Sequence, residues 1–159
     1  MKTLTVKVAG ALVLLASVVS LTACSYATDF VIVNDSTEVL KVEYRFKDFP
    51  GDFAPAAPSI VPGSQLSSHG NQKWTRLESG QYQIEPNQRA VSVSIMPGQA
   101  LLVCRMPGYG GHSEAWNAKE FPVDQITLNG TSGVLLLKGE VARTTFSEIS
   151  RALYVLEYK

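Results

Sequence analysis

The sequence predicts a mainly β domain: an antiparallel β-sandwich of Ig-like architecture, with one short C-terminal helix before the last strand. Three observations predict it. Residues 39–47 alternate almost without fault, Leu40, Val42, Tyr44 and Phe46 on one face and Lys41, Glu43, Arg45 and Lys47 on the other, the period of two that a half-buried strand requires. Short apolar segments separated by Gly, Pro and Asn turn signals recur along most of the chain, the spacing of meanders or Greek keys. The period then changes near the end, where Val141, Ala142, Thr145, Phe146 and Ile149 fall on one helical face. A small barrel is the rival arrangement. The Cys-Trp-Cys spacing of antibody domains is absent, so Ig-like names an architecture and implies no relationship.

Taken in order, residues 29–34 begin the domain with Phe30, Val31, Ile32 and Val33 in succession, and Asn34-Asp35-Ser36 is a turn signal. Residues 48–64 contain Pro50, Pro55, Pro58 and Pro62, each lacking a ladder donor, so this is a long loop or an extended segment crossing between sheets. Strands follow over 73–77, 81–85, 90–95 and 99–105, punctuated by Ser79-Gly80, Pro86-Asn87 and Met96-Pro97-Gly98. Residues 123–128 and 134–138 form a hairpin closed around Asn129-Gly130. The helix occupies 140–150, or starts later if Thr145 and Glu148 form a capping box. Residues 153–158 close the sheet as a well-paired final strand.

The chain has 159 residues, enough for one domain with a modest extension. Apolar residues make up 45% and charged residues 18%, so the body can offset its chain entropy and fold. Formal charge is zero, and setting aside Lys2 and Lys7 in the first 23 residues leaves twelve basic against fourteen acidic side chains. The basic residues are scattered singly, so no nucleic-acid partner is expected.

Residues 1–23 read as an export signal. Lys2 and Lys7 precede any acid, the first of which is Asp29, and residues 8–19 are an apolar run shorter than a membrane span. Leu21-Thr22-Ala23-Cys24 at its end resembles the lipobox of bacterial lipoproteins. That resemblance covers about the first 24 residues. It implies cleavage before Cys24, a diacylglycerol thioether on its sulfur, and a membrane partner gained through that lipid anchor. Two or three acyl chains hold firmly where one binds reversibly. Ser25, where aspartate tends to retain lipoproteins on the inner membrane, implies the outer membrane facing the periplasm. The domains are then a signal at 1–23, a short lipid-anchored tether at 24–28 and the β-domain at 29–159. Ordinary cleavage after Ala27 is the alternative, as is a bridge between Cys24 and Cys104 in a secreted protein.

Few residues suggest chemistry. Cys104, among Leu101, Leu102 and Val103, reads as a buried inert thiol that alternation sets on one face with Leu102. His69 and His112 sit in loop-like sequence without metal-ligand spacing, and no phosphate loop or nucleophile elbow occurs, so no metal and no cofactor is expected. Residues 106–116 form an aromatic and polar loop in which Tyr109, His112, Glu114 and Trp116 are candidates for ligand or partner contact. The functional expectation is a non-enzymatic envelope lipoprotein whose β-domain engages a protein or glycan partner, in the manner of an inhibitor or immunity protein. An envelope hydrolase using His69, His112 and Glu114 is the alternative.

Overall fold

The computed structural model describes residues 27–48, 56–69, 72–85, 87, 89–107, 121–150 and 152–159. They form eleven strands and one short α-helix: β1 (Ala27–Asn34), β2 (Leu40–Phe46), β3 (Ser59–Pro62), β4 (Thr75–Arg76), β5 (Tyr82–Glu85), β6 (Ala90–Ile95), β7 (Gln99–Pro107), β8 (Val123–Gly130), β9 (Gly133–Lys138), α1 (Glu140–Thr144), β10 (Ser147–Ser150) and β11 (Leu153–Tyr158). One sheet has the order β10-β11-β1-β7-β3-β4 and the other β5-β6-β2-β8-β9. Side chains of both sheets, with Ala142 and Phe146, share a single main core. The fold is mainly β, with two antiparallel-rich sheets.

Alternation in β2 is observed as read: Leu40, Val42, Tyr44 and Phe46 are buried and the residues between them exposed. Asn34 is fully buried at the turn that follows β1. Its amide donates to Glu38 O at 2.7 Å and Ile95 O at 3.1 Å, while Ser36 donates to Asn34 Oδ1 from its backbone N and its hydroxyl. Such a side chain satisfies carbonyls that the sheets leave unpaired.

Strand β1 is apolar without alternation because both of its faces are covered. Phe30 and Ile32 enter the main core, whereas Val31 joins Val61, Ala100, Leu153 and Val155 in a second cluster on the opposite face, packed by Leu66 and Trp74. Both edges of β1 are also paired, antiparallel to β7 and parallel to β11. The sheets are thus not wholly antiparallel. A parallel neighbour needs a long connection, and here nearly the whole chain intervenes between the two strands.

Other elements depart from the sequence reading. The helix is confined to Glu140–Thr144, and β10 follows it before the last strand. Phe146 is 3% exposed but Ile149 is 56% exposed, so the helical stripe ends where the chain turns to pair with β11. Thr144 and Thr145 return their hydroxyls to Glu140 O and Val141 O, and Glu148 accepts from Tyr154 Oη instead of capping a helix. The hairpin closes two residues later than expected, at Thr131-Ser132, with Gly130 opposite Gly133. Gly133 has φ of +134°, a conformation that suits glycine. A Cβ on Gly130 would overlap the Tyr158 hydroxyl and lie 2.9 Å from its Cζ.

The proline-rich stretch leaves β2 in one sheet and arrives at β3 in the other. It therefore crosses between sheets, and 49–55 lie outside the described residues. The expected strand over 73–77 shrinks to Thr75–Arg76, paired with the short β3. In β7 the register against β1 shifts between Phe30 and Val31, with Cys104 opposite Phe30 and Leu102 opposite Val31. That bulge puts Leu102 on the second cluster and Cys104 against the main core. Simple alternation had set them on one face.

Candidate functional site

Strand directions gather one set of chain ends. Ala27 starts β1 opposite Pro107, the last residue of β7. In the other sheet, β2 ends, β6 begins and β8 begins together, with Arg45 opposite Ala90 and Phe46 opposite Val123. Phe46 N donates to Arg89 O at 3.1 Å and Lys47 N to Pro122 O at 2.8 Å. The segment 108–120 leaves from Pro107 and returns at Phe121, so the interaction loop predicted from sequence is rooted at this end. Tyr109, His112, Glu114 and Trp116 themselves lie outside the described residues, as does Cys24.

An open cavity of about 580 Å³ occupies this end, lined by Arg45, Phe46, Lys47, Asp48, Asn87, Arg89 and Asp124. Arg89 is the one described non-glycine residue with positive φ, at 50°. That conformation is disfavoured for a residue with a Cβ. It is held by the bond from Phe46 to its carbonyl, by Nη1 donating to Lys47 O at 3.2 Å, and by Nε 3.5 Å from Asp48 Oδ1. Across the cavity Arg45 Nη2 lies 3.6 Å from Asp124 Oδ2 and donates to Gln125 Oε1 at 3.2 Å. Both side chains of the Arg45–Asp124 pair are half exposed, so it contributes little to stability and leaves its groups accessible to a polar ligand. The described lining offers charge-assisted hydrogen bonds of both signs. It includes no nucleophile beside a base.

Close by, on the second cluster's face, Asp29 is 1% exposed. Arg105 grips it with two hydrogen bonds, Nε to Oδ1 at 2.6 Å and Nη2 to Oδ2 at 2.9 Å, and Trp74 Nε1 donates to Oδ2 at 3.1 Å. The hydrogen bond to Asp29 raises the Arg105 pKa further. Arg105 and Trp74 satisfy the buried Asp29 carboxylate, so the trio fixes the start of β1. On the core side, Arg143 lies 4.5 Å from the Tyr154 ring centroid and 5.3 Å from that of Phe30, roofing an aromatic cluster of Phe30, Phe121, Phe146 and Tyr154.

His69 is exposed in the segment that covers the second cluster, its backbone N donating to Ser67 Oγ and its ring beside Ser68 Oγ at 3.4 Å. It does not line the cavity described above. Cys104 is a free thiol, partly buried. Burial raises its pKa well above the ordinary thiol range, helped by the nearby Asp29 charge and opposed by Arg143, so it stays protonated and unreactive at neutral pH. Among the described residues no group of three His, Cys, Asp or Glu side chains is placed to hold a metal ion, and no helix is long and apolar enough to cross a membrane.

Sequence reasoning missed Arg89, Asp124 and Arg105 as site-forming residues. Arg45 read only as one residue of a solvated face. Nothing local marks them, because their partners come from other strands, as Asp29 and Arg105 do from β1 and β7. No protein-family model, curated protein or solved structure matches the chain.

Proposed function

We propose that the chain is a bacterial envelope lipoprotein, anchored through acyl chains on Cys24, whose β-domain is a non-enzymatic interaction module. The observation that carries this reading is the Leu21-Thr22-Ala23-Cys24 motif closing a charged and apolar leader, set beside the buried start of β1. Ordinary cleavage after Ala27 would make Thr28 the new N-terminus. Thr28 is 0% exposed and paired with Met106 in the ladder, and an ammonium group there would lose its hydration. Cleavage before Cys24 leaves the new terminus three residues ahead of the first strand residue.

With a tether of at most about 10 Å from Cys24 to Ala27, the end bearing the cavity and the roots of the 108–120 loop faces the bilayer. A protein or glycan partner is then met close to the membrane surface, on the periplasmic face of the outer membrane given Ser25. The domain is Ig-like in the broad sense of two sheets packed over one core, an inhibitor or immunity protein being one form such a module takes. Intact-mass measurement of the protein purified from bacterial membranes tests the reading. The expected mass is that of residues 24–159 plus a diacylglyceryl group, with or without an added N-acyl chain, and Cys24→Ser abolishes the shift. A free thiol at Cys24 or a retained leader would overturn it.

A further inference from the structure

Four strands end the two sheets: β4, β5, β9 and β10. Three are protected in the usual ways. Strand β4 is two residues long, β5 carries Glu85, and β10 is four residues long with Glu148. Short length and charge both discourage pairing at an open edge. Strand β9 is the longest of the four at six residues, and its one charge, Lys138, stands at its end, with none from Thr131 to Leu137. Val134, Leu135 and Leu136 are 65%, 43% and 49% exposed, and Val141 of α1, which packs beside β9, is 54% exposed.

We propose that β9 pairs antiparallel with β9 of a second copy of this chain, joining two five-stranded sheets across a two-fold axis. The axis falls at Leu135. Direct neighbours in an antiparallel ladder share a face, and this register sets Leu135 against its own copy on the core-side face. It sets Val134 against Leu136 of the partner, twice, on the outer face. Lys138 then meets Ser132, so no like charges are apposed, and the contact is self-complementary as a two-fold interface must be. Covering these side chains on both copies removes on the order of 700 Å² from water, short of the roughly 1,200 Å² of a stable standard interface. The dimer is therefore reversible, its ladder hydrogen bonds adding to a modest apolar seam. It requires only the fold, whether or not Cys24 is acylated.

Mild oxidation of the full-length chain carrying Leu135→Cys tests it, because residues opposite each other at the axis come within disulfide reach. The expected product is a disulfide-linked dimer of twice the chain mass. It should be absent from the parent chain and from Met96→Cys, an exposed position just past β6, which β2 and β8 separate from β9. Adding Val134→Lys to Leu135→Cys should lower the dimer yield at least about tenfold by burying a charge in the seam. Val134 is the most exposed of the strand's Val and Leu side chains, so far-ultraviolet circular dichroism should stay unchanged. No dimer from Leu135→Cys, equal yield from Met96→Cys, undiminished yield with Val134→Lys in a folded chain, or a product whose mass shows a different protein would each overturn the proposal.

Discussion

At the scale of single residues, the most consequential contact is the burial of Asp29 under Arg105 and Trp74. The two charged partners are unequal, since the Asp29 side chain is 2% exposed and that of Arg105 48%. Arg105→Ala leaves a carboxylate in the interior with one indole donor and should cost about 3 kcal/mol. Asp29→Asn frees a guanidinium that water already reaches and should cost about 1 kcal/mol. Urea denaturation of both variants checks the order, and equal or reversed costs would count against it. Cys104 and Tyr44 give a pH dependence. Burial raises both pKa values, with the neighbouring Asp29 charge acting on Cys104 and Cys104 itself acting on Tyr44. The unfolded chain sheds these protons from about pH 9 and pH 10, starting from the ordinary values of 9.0 and 10.0, while the folded chain keeps them. The unfolded state then binds fewer protons, and stability falls as pH rises past 9, by up to about 1.4 kcal/mol per pH unit per group. Cys104→Ala should move the onset to near pH 10 in thermal melts. None of these pairings was legible in the sequence, where Asp29 marked only a strand's beginning and Arg105 a strand's end.

Among the elements, strands with one buried face were readable and short or strained pieces were not. Leu40–Phe46 carries its own period. Thr75–Arg76 has no pattern of its own and exists because β3 offers a partner. The hairpin shows why the boundary moved: Asn129 pairs with Val134 and Leu128 with Leu135, so the ladder extends through the Asn-Gly signal and the chain reverses at Thr131-Ser132. Gly130 is then needed less for its backbone freedom than for the room it leaves Tyr158. Gly130→Ala should destabilise by about 1–3 kcal/mol through that overlap. In a double-mutant cycle with Tyr158→Ala the two costs should fall short of additivity by about 1 kcal/mol. Additive costs in denaturant unfolding would remove Tyr158 from the explanation.

For the whole molecule, the first and last described strands are joined as a parallel pair in the middle of one sheet. Deleting 153–159 removes β11, opens one edge of β1, leaves β10 without its partner and takes Tyr154 and Leu156 from the main core. The truncated chain should show no cooperative unfolding transition and no resistance to limited proteolysis. A folded truncated domain would show that β11 is dispensable. By itself the sequence determined the mainly β class, the alternating face of β2, the span of β6, and the turns at Gly80 and Gly98. Each of these is written in neighbouring residues, as a period or as a local backbone requirement. Only the tertiary structure decided that β1 lies between β7 and β11, that a bulge separates Leu102 from Cys104, and that Arg45, Arg89 and Asp124 surround one cavity. It also decided that β9 is left as an open edge. Those facts depend on which strands become neighbours, and hydrogen bonds and desolvation act between groups far apart in the chain, where local pattern carries no information about partner or register.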